Sequence, residues 1–413
     1  MKARIFAFAV LVAVLAVAAS TAGGATKKSN ASITVWLQVD AQSGWPGAVA
    51  AATAAFQKQH PGVTVNVQYQ TWGTHLAKFD ATLAGGNAPD VIEMGNTEMV
   101  KYMAAGAFQD LSSLKSEFDN SSSWLDGLAA SGRYNGKLYG VPYYAGSRVV
   151  TYRTDQFKGA GIRSAPTSLA QFSADGAKLQ AKYGKAGYSP VYIAGTDWYV
   201  AMSFVYDYGG KIATQVSGKW KGTLESPQSI AGLTAFKNFF LANSKASKTT
   251  DEAHPPPYSV YADGNAGSMI GQGWFSCCVG DKYKTTTAQF VMPSHVAGKP
   301  MPGFLGGSDL AVPVGANKQL GADWIAAFTS TTSEKALQAA GNIPNATNLL
   351  NLQKVGERAA LRSWFVPAAK NWVNVENGNI LRTMLSSILT GKLSVQQAAA
   401  TADTNIDYTL NAS

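Results

Sequence analysis

The only two cysteines of this 413-residue chain are adjacent, Cys277 and Cys278, and they follow Trp274 in the stretch GQGWFSCCVG. Adjacent cysteines can close only a small strained ring, and the chain has no third cysteine or CxxC motif for a redox pair or a zinc site. Two buried free thiols, a vicinal disulfide and redox catalysis are the alternatives, and redox catalysis has the least support. The stretch is interpreted as a turn that holds the Trp274 ring toward a ligand.

Motifs for metal binding, nucleophilic catalysis and glycoside hydrolysis are incomplete. The histidines are too widely spaced for a zinc motif: His60, His75, His254 and His295. A dinucleotide-type glycine pattern starting at Gly271 fails at Ser276, and the GGSDL stretch has Leu310 where a nucleophile elbow needs glycine. Asp90 and Glu93 resemble a glycosidase pair, but residues three apart on a strand face opposite sides. We therefore predict no catalytic residue, no metal and no cofactor.

Aromatic side chains carry the remaining chemical signal. A sugar ring packs its C–H face on an indole, and its hydroxyls need planar hydrogen-bonding partners at the edge of the site. Several tryptophans lie beside polar or small residues, outside the clear apolar runs: Trp72, Trp198, Trp274, Trp364 and Trp372. Because a single tryptophan is more often part of a core than of a ligand site, this pattern alone does not establish a carbohydrate cleft.

The elements that position these residues alternate between strand and helix. SITVWLQVD and VTVNVQYQ have the period of two that predicts strands, and the Ala-rich AVAAATAAFQKQH between them predicts a helix. HLAKFDATLAGG and PDVIEMG repeat the helix and strand, so the first strands should be parallel in a doubly wound α/β lobe. Ligands of such sheets lie beyond the carboxyl ends of the strands. Later helices should begin after Ser168, Ser226 and Ser333, and the proline-rich residues 245–259 should form a surface connection.

Length and composition narrow the class of protein. A chain of 413 residues exceeds what one core usually serves, so two lobes are expected. The net charge is +9, but the basic residues are scattered rather than arranged in a stripe, which argues against nucleic-acid binding. Lys2, Arg4 and the apolar run that follows predict a secretory signal peptide over residues 1–25, since the run is too short to span a membrane. We expect an exported protein.

The order of several motifs resembles that of the extracellular solute-binding proteins of sugar ABC transporters. The matching stretches cover nearly the whole exported chain: residues 60–111, NGKLYGVPYYAGSRVVTYRTDQF at 135–157, GSMIGQGW at 267–274, GGSDLAVP at 306–313, and residues 372–406. IEMGNTEMVKYMAAGAF further resembles carriers of oligosaccharides, including chito-oligosaccharides, from actinobacteria. Many relatives carry a lipobox cysteine after the signal, but residues 18–25 contain none, so residence free in the periplasm or at the cell surface is expected.

The resemblance implies a type II periplasmic-binding-protein fold, in which two α/β lobes, each a sheet flanked by helices, are hinged by crossing segments. We place the crossings near residues 144–150, 299–305 and 345–350. Lobe I then comprises residues 31–145 and 301–346, and lobe II comprises residues 146–300 and 347–413, the latter part holding the C-terminal helices.

The implied function is a binding subunit of an ABC importer that captures a sugar, from a monosaccharide to an oligosaccharide, and delivers it to permease subunits. We expect a monomer. The aromatic pattern and the resemblance together predict these substrate-binding residues: Trp72, Asn96, Thr97, Arg148, Trp198, Trp274, Gly307, Ser308, Asp309 and Trp372. A secreted glycosidase and a carrier for a peptide or polyamine are the alternatives, and turnover of an oligosaccharide would distinguish the glycosidase.

Overall fold

The computed structural model describes residues 31–412, with the exception of the Cys277 side chain, and the predicted signal peptide lies outside them. The strands are β1 (Ser32–Gln38), β2 (Thr64–Gln70), β3 (Val91–Gly95), β4 (Arg133–Tyr134), β5 (Lys137–Leu138), β6 (Gly140–Gly146), β7 (Arg148–Arg153), β8 (Ala213–Val216), β9 (Lys219–Gly222), β10 (Ser268–Gln272), β11 (Thr287–Phe290), β12 (Gly303–Phe304), β13 (Gly306–Ala311) and β14 (Ser363–Trp364).

The α-helices are α1 (Val39–Gly44), α2 (Pro46–Gln59), α3 (His75–Gly85), α4 (Met99–Ala104), α5 (Asp126–Ser131), α6 (Thr154–Gly159), α7 (Leu169–Tyr183), α8 (Trp198–Asp207), α9 (Pro227–Asn243), α10 (Pro257–Ala262), α11 (Lys318–Phe328), α12 (Thr331–Ala339), α13 (Val355–Ala359), α14 (Trp372–Asn377), α15 (Ile380–Thr390) and α16 (Val395–Leu410). Short 3₁₀ helices cover Ser112–Glu117, Gly273–Cys278, Asp281–Thr286 and Thr347–Leu349. No helix within residues 31–412 is long and apolar enough to cross a bilayer.

The first lobe is organised around a five-stranded sheet of order β2-β1-β3-β13-β6. Strand β1 is parallel to β2 and β3, as the alternating pattern predicts. Strand β13 runs antiparallel to both of its neighbours, which the sequence pattern does not reveal because this strand enters the sheet from far along the chain. Apolar residues of β1, including Val35 and Leu37, are fully buried in the core of this lobe.

Helix boundaries follow the predicted caps with one correction. The Ser168 and Ser226 hydroxyls accept hydrogen bonds from the amides of the third helical residues of α7 and α9, and Pro227 occupies the first helical position of α9. Helix α12 begins earlier than predicted. Its cap is Ser330, whose hydroxyl accepts from the amide of Ser333, so Ser333 lies inside the helix rather than at its start.

The second lobe contains the antiparallel sheet β10-β7-β11. Its helices α7, α8, α9 and α15 pack on one another, and Phe172 of α7 contacts Phe290 of β11. Strand β6 of the first sheet ends at Gly146 and β7 of the second sheet begins at Arg148, so the chain passes between sheets at Ser147. The chain returns to the first sheet through β12 and β13, and β12 pairs with β14 between the lobes. The lobe boundaries given by the sequence stay a prediction.

Candidate ligand-binding cleft

A cleft of about 930 Å³ lies between the two sheets. Its first wall is formed by the ends of β1, β2, β3 and β6 and by the start of β13. These points lie at one edge of the first sheet because β13 runs antiparallel to its neighbours. Its second wall is formed by the end of β10, the 3₁₀ turn that follows it, and Tyr199 of α8. The cleft therefore occupies the position expected for ligands of an α/β sheet, beyond the carboxyl ends of the parallel strands.

Three aromatic side chains face the cleft from the first wall. Trp72 is 40% exposed, and its indole N–H donates a hydrogen bond of 2.6 Å to the Asp40 carboxylate. Trp45 lies 5.1 Å from Tyr144 between ring centroids, and its indole N–H donates to the hydroxyl of Tyr143. These contacts fix the orientation of both indoles, so the first wall offers rings that are already positioned for a flat ligand face.

Trp274 faces the cleft from the second wall and is 57% exposed. Its ring meets Phe275 edge-on at 4.6 Å, and Phe275 packs over Gly271, where an added Cβ would lie 2.3 Å from that ring. The Gln289 side chain donates to the carbonyl of Gly273, which fixes the start of the turn. The first glycine of GQGW is thus needed for packing beneath the turn, and the tryptophan is held outward.

Polar groups of the first wall follow β3. The Asn96 side chain donates to the Leu305 carbonyl at 2.7 Å, and Thr97 lies beside it on the cleft surface. The Glu98 carboxylate accepts from the Gly95 amide at 2.9 Å and bonds the Nε2 atom of His75 at 2.8 Å. Burial lowers the pKa of His75, but the hydrogen bond and charge of Glu98 raise it more, so its net shift is upward. This wall carries hydrogen-bonding groups with fixed orientations.

Two buried carboxyl groups lie behind the first wall. Burial raises the pKa of Glu93 to about 7, although the Gln38 amide donates to it at 2.8 Å. Burial also raises the pKa of Asp309 to about 7 and outweighs the lowering effect of the nearby Ser131 hydroxyl. Because an ionised carboxylate without a basic partner is costly to bury, both groups favour the protonated form in the folded protein more than in water.

A family model described as bacterial extracellular solute-binding protein matches residues 51–362, most of the chain. The chain belongs to this family. Proteins of this family are exported, which agrees with the prediction of export.

Relatives and solved structures of this solute-binding protein agree on its architecture. The diacetylchitobiose-binding protein DasA of Streptomyces coelicolor is 32% identical over 383 residues, 89% of this chain and 88% of the relative. The sugar-binding protein MalE of Xanthomonas citri is similar in structure, with a TM-score of 0.79 at 18% identity over 92% of this chain and 97% of MalE. The GacH receptor of Streptomyces glaucescens gives a TM-score of 0.73 at 20% identity over 92% and 98%. These similarities confirm the predicted two-lobed type II fold.

Several predicted binding residues of the solute-binding protein meet in the cleft. The residues that line it are Trp72, Asn96, Thr97, Trp274 and Gly307. Gly307 permits the close approach of β13 to β6, because an added Cβ would lie 2.1 Å from the Tyr144 carbonyl oxygen. Arg148 lies in a side chamber next to the cleft rather than in the cleft itself.

Four predicted binding residues do not line the cleft, and their role in binding stays a prediction that this geometry does not support. Trp198 and Trp372 are buried among the aromatic rings of the second lobe, 6.0 Å apart between centroids, so neither offers a ring face to the cleft. Ser308 and Asp309 point into the interior behind Gly307 and are fully buried. Strand β13 lies between β3 and β6 in the sheet and is buried from Ser308 onward, so only its start, Gly306 and Gly307, reaches the cleft.

Sequence reasoning missed other residues that line the cleft: Asp40, Trp45, Glu98, Tyr144, Tyr199 and Gln272. The signal for Trp45 was its position between turn residues in GWPG, which is unusual for a core tryptophan. Cys278 is disulfide-bonded, so the interpretation of the cysteines as two free thiols is wrong. The side chain of Cys277 lies outside the described residues.

Proposed function

We propose that this solute-binding protein is the exported substrate-binding subunit of an ABC importer, and that it captures a disaccharide or oligosaccharide in the cleft. The observation that carries the proposal is the pair of opposed aromatic walls, with Trp72 on one lobe and Trp274 on the other. A sugar placed between them would have apolar faces covered on both sides and hydroxyls beside Asn96, Thr97 and Gln272.

Closure of the lobes on the sugar would produce a shape that permease subunits recognise, so binding is coupled to delivery. We propose that the protein acts as a monomer in the periplasm or at the cell surface and does not transform its ligand. Its binding groups are neutral amides, hydroxyls and aromatic rings together with carboxylates that bond neighbouring side chains, and these are suited to recognition. The name of the relative DasA makes diacetylchitobiose the first ligand to test.

The proposal is tested by thermal unfolding and calorimetric titration of the exported chain with diacetylchitobiose, cellobiose, maltose, trehalose and xylobiose, and with spermidine and amino acids as non-sugar ligands. A ligand present at 100 times its dissociation constant should stabilise the protein by about 2.7 kcal/mol. Trp274→Ala should then weaken binding by about 2 kcal/mol, roughly thirtyfold, because it removes one aromatic wall. Trp220→Ala, which removes a half-buried indole that does not line the cleft, is the matched control.

Three outcomes would contradict the proposal in different ways. Stabilisation by spermidine or an amino acid alone would place the protein among carriers of other solutes. Cleavage of a bound oligosaccharide, detected by chromatography of the mixture, would show that the protein is an enzyme. Equal sugar affinity for wild type and Trp274→Ala would show that the sugar binds outside the cleft.

A further inference from the structure

A side chamber of about 300 Å³ opens from the second-lobe side of the cleft. The residues that line both spaces are Tyr199, Gln272, Trp274, Phe304 and Gly306, so a ligand in the cleft can extend into the chamber. Arg148, Asp197 and Glu252 line the chamber but not the cleft. Its volume exceeds that of a single small substituent on a sugar ring, which leaves room for such a group and part of the ring that carries it.

Arg148 is the unusual residue of the chamber. Its side chain is only 10% exposed, and it donates no hydrogen bond to any residue within 31–412. The guanidinium lies over the Tyr199 ring, 4.2 Å from its centroid, and Nε is 3.8 Å from Oδ2 of Asp197, too far for a hydrogen bond. Buried ionised donors in proteins are nearly always hydrogen-bonded, so this group is suited to an acceptor that arrives in the chamber.

Some of the carboxylate oxygens of the chamber already accept hydrogen bonds from other residues of the protein. Both oxygens of Glu252 accept from Arg382 at 2.8 Å, and Oδ1 of Asp197 accepts from the Val200 amide at the start of α8. Oδ2 of Asp197 accepts no hydrogen bond from residues 31–412; the Nε atom of Arg148 lies 3.8 Å away, and the charge of Arg382 also acts on this carboxylate. The two arginines and two carboxylates cancel in formal charge, which favours a neutral ligand group that both donates and accepts.

The rest of the chamber wall is apolar, with Pro257, Ile270 and Phe275. A hydroxyl group would use the donor and acceptor but leave this apolar surface uncovered. A carboxylate substituent would face Asp197 and Glu252, and an ammonium group would face Arg148, so each charged group meets a like charge. An acetamido group is neutral, has one acceptor and one donor, and ends in a methyl group.

We propose that the chamber selects sugars that carry an acetamido substituent. This inference rests on the proposed function, since it assigns part of the ligand that the cleft would hold. Arg148 donates to the acetamido carbonyl oxygen, the carboxylate edge of the chamber accepts from the amide N–H, and the methyl group packs against Ile270 and Phe275. Arg148 would then be a specificity residue rather than a general hydroxyl partner.

The test is calorimetric titration of the exported chain with three disaccharides on one scaffold: diacetylchitobiose, its free-amine form and cellobiose. Wild type should bind diacetylchitobiose at least about tenfold more tightly than either of the others. Arg148→Met should reduce the ratio of diacetylchitobiose to cellobiose affinity by about tenfold or more, and Arg148→Lys by less, because lysine keeps a donor but loses the planar fork. Arg163→Met, which makes the same change at an exposed position, should leave the ratio unchanged.

Failure of the chamber assignment differs from failure of the proposed function. If all three sugars bind with similar affinity, or if Arg148→Met weakens them equally while its unliganded melting temperature is unchanged, the acetamido assignment is wrong and the sugar carrier remains. If the free-amine sugar binds best, the carboxylates dominate the chamber and the assignment is also wrong. If no sugar binds to folded wild type, both proposals fall.

Discussion

On the first wall of the cleft, Trp72 and Trp45 are oriented by hydrogen bonds from their indole N–H groups, whereas Trp274 on the second wall donates none to residues 31–412. The first wall is built from the ends of paired strands, and the second wall is a short 3₁₀ turn after an antiparallel strand. A preorganised surface loses little conformational freedom when a ligand lands on it. We therefore expect a ligand to bind the first wall first, and the more exposed Trp274 to cover it if the lobes close.

The carboxyl groups behind the two walls differ in whether a basic side chain lies beside them. Glu93 and Asp309 behind the first wall have no basic partner within hydrogen-bond distance in the described part of the chain. Asp197 and Glu252 on the second-lobe side lie beside Arg148 and Arg382. Burial raises the pKa of Asp197, and the nearby Arg148 charge opposes that shift. We therefore expect the stability of the first wall to depend on pH, whereas the charges on the second-lobe side are balanced.

Among the predicted changes, a substitution at Gly307 should disrupt the first wall most. An alanine there would place its Cβ 2.1 Å from the Tyr144 carbonyl oxygen, so β13 and β6 would have to separate. We expect Gly307→Ala to destabilise the protein by about 3 kcal/mol or more and to abolish ligand binding. Chemical denaturation and calorimetry would measure both effects. Gly303→Ala, where an added Cβ meets nothing within 4 Å, is the control, and equal stability of the two variants would contradict the argument.

Asp309 allows a test of how the free energy of unfolding depends on pH. Because its folded-state pKa is raised to about 7 while the unfolded value is near 3.8, the ionised form is penalised in the folded protein. The free energy of unfolding should therefore fall as the pH rises from about 4 to about 7. Asp309→Asn removes that titration and should stabilise the protein relative to wild type by about 2 to 4 kcal/mol more at pH 8 than at pH 4.

Denaturation curves of Asp309→Asn and wild type at several pH values would check this effect. Stability differences that stay constant with pH would show that Asp309 is ionised or paired in the folded state. Asp281→Asn, at a carboxylate whose side chain is 95% exposed, should not show the pH-dependent gain.

The smallest expected effect concerns the orientation of Trp72. Asp40→Ala removes the acceptor of its indole hydrogen bond, so the ring becomes free to rotate and the first wall loses part of its preorganisation. We expect sugar affinity to fall by about 1 kcal/mol, roughly fivefold, and less than in Trp274→Ala. Calorimetric titration measures the change, with Asp281→Ala as control. A loss larger than that of Trp274→Ala would mean that Asp40 bonds the sugar directly.

Local patterns predicted the beginning of the fold well, because β1 and β2 alternate with a period of two in sequence and α7 and α9 carry serine caps. Strand β13 was not predicted as a reversed strand, since its partners β3 and β6 are far away in sequence. The family resemblance supplied Asn96 and Gly307 as candidates on the cleft.

The choice among tryptophans was harder than the fold. Trp72 and Trp198 both lie beside polar or small residues in sequence, yet the first is exposed in the cleft and the second is 3% exposed in the core. What separates them is packing against Phe304, Trp364 and other residues distant in sequence. Local composition carries no information on such contacts, and the same holds for Tyr144 and Tyr199.

The tryptophans differ in exposure, which makes the fluorescence of the protein sensitive to changes in the cleft. Trp72 and Trp274 are the exposed indoles of residues 31–412, one on each side of the cleft, while Trp198, Trp324 and Trp372 are buried and would not change environment. If the lobes close on a ligand, the emission of Trp72, Trp274 and the half-buried Trp45 of the cleft should shift to shorter wavelength, while that of the buried indoles stays constant. The protein thus carries its own fluorescent reporter of closure, with no dye attached, and a titration followed by emission would count occupied molecules directly.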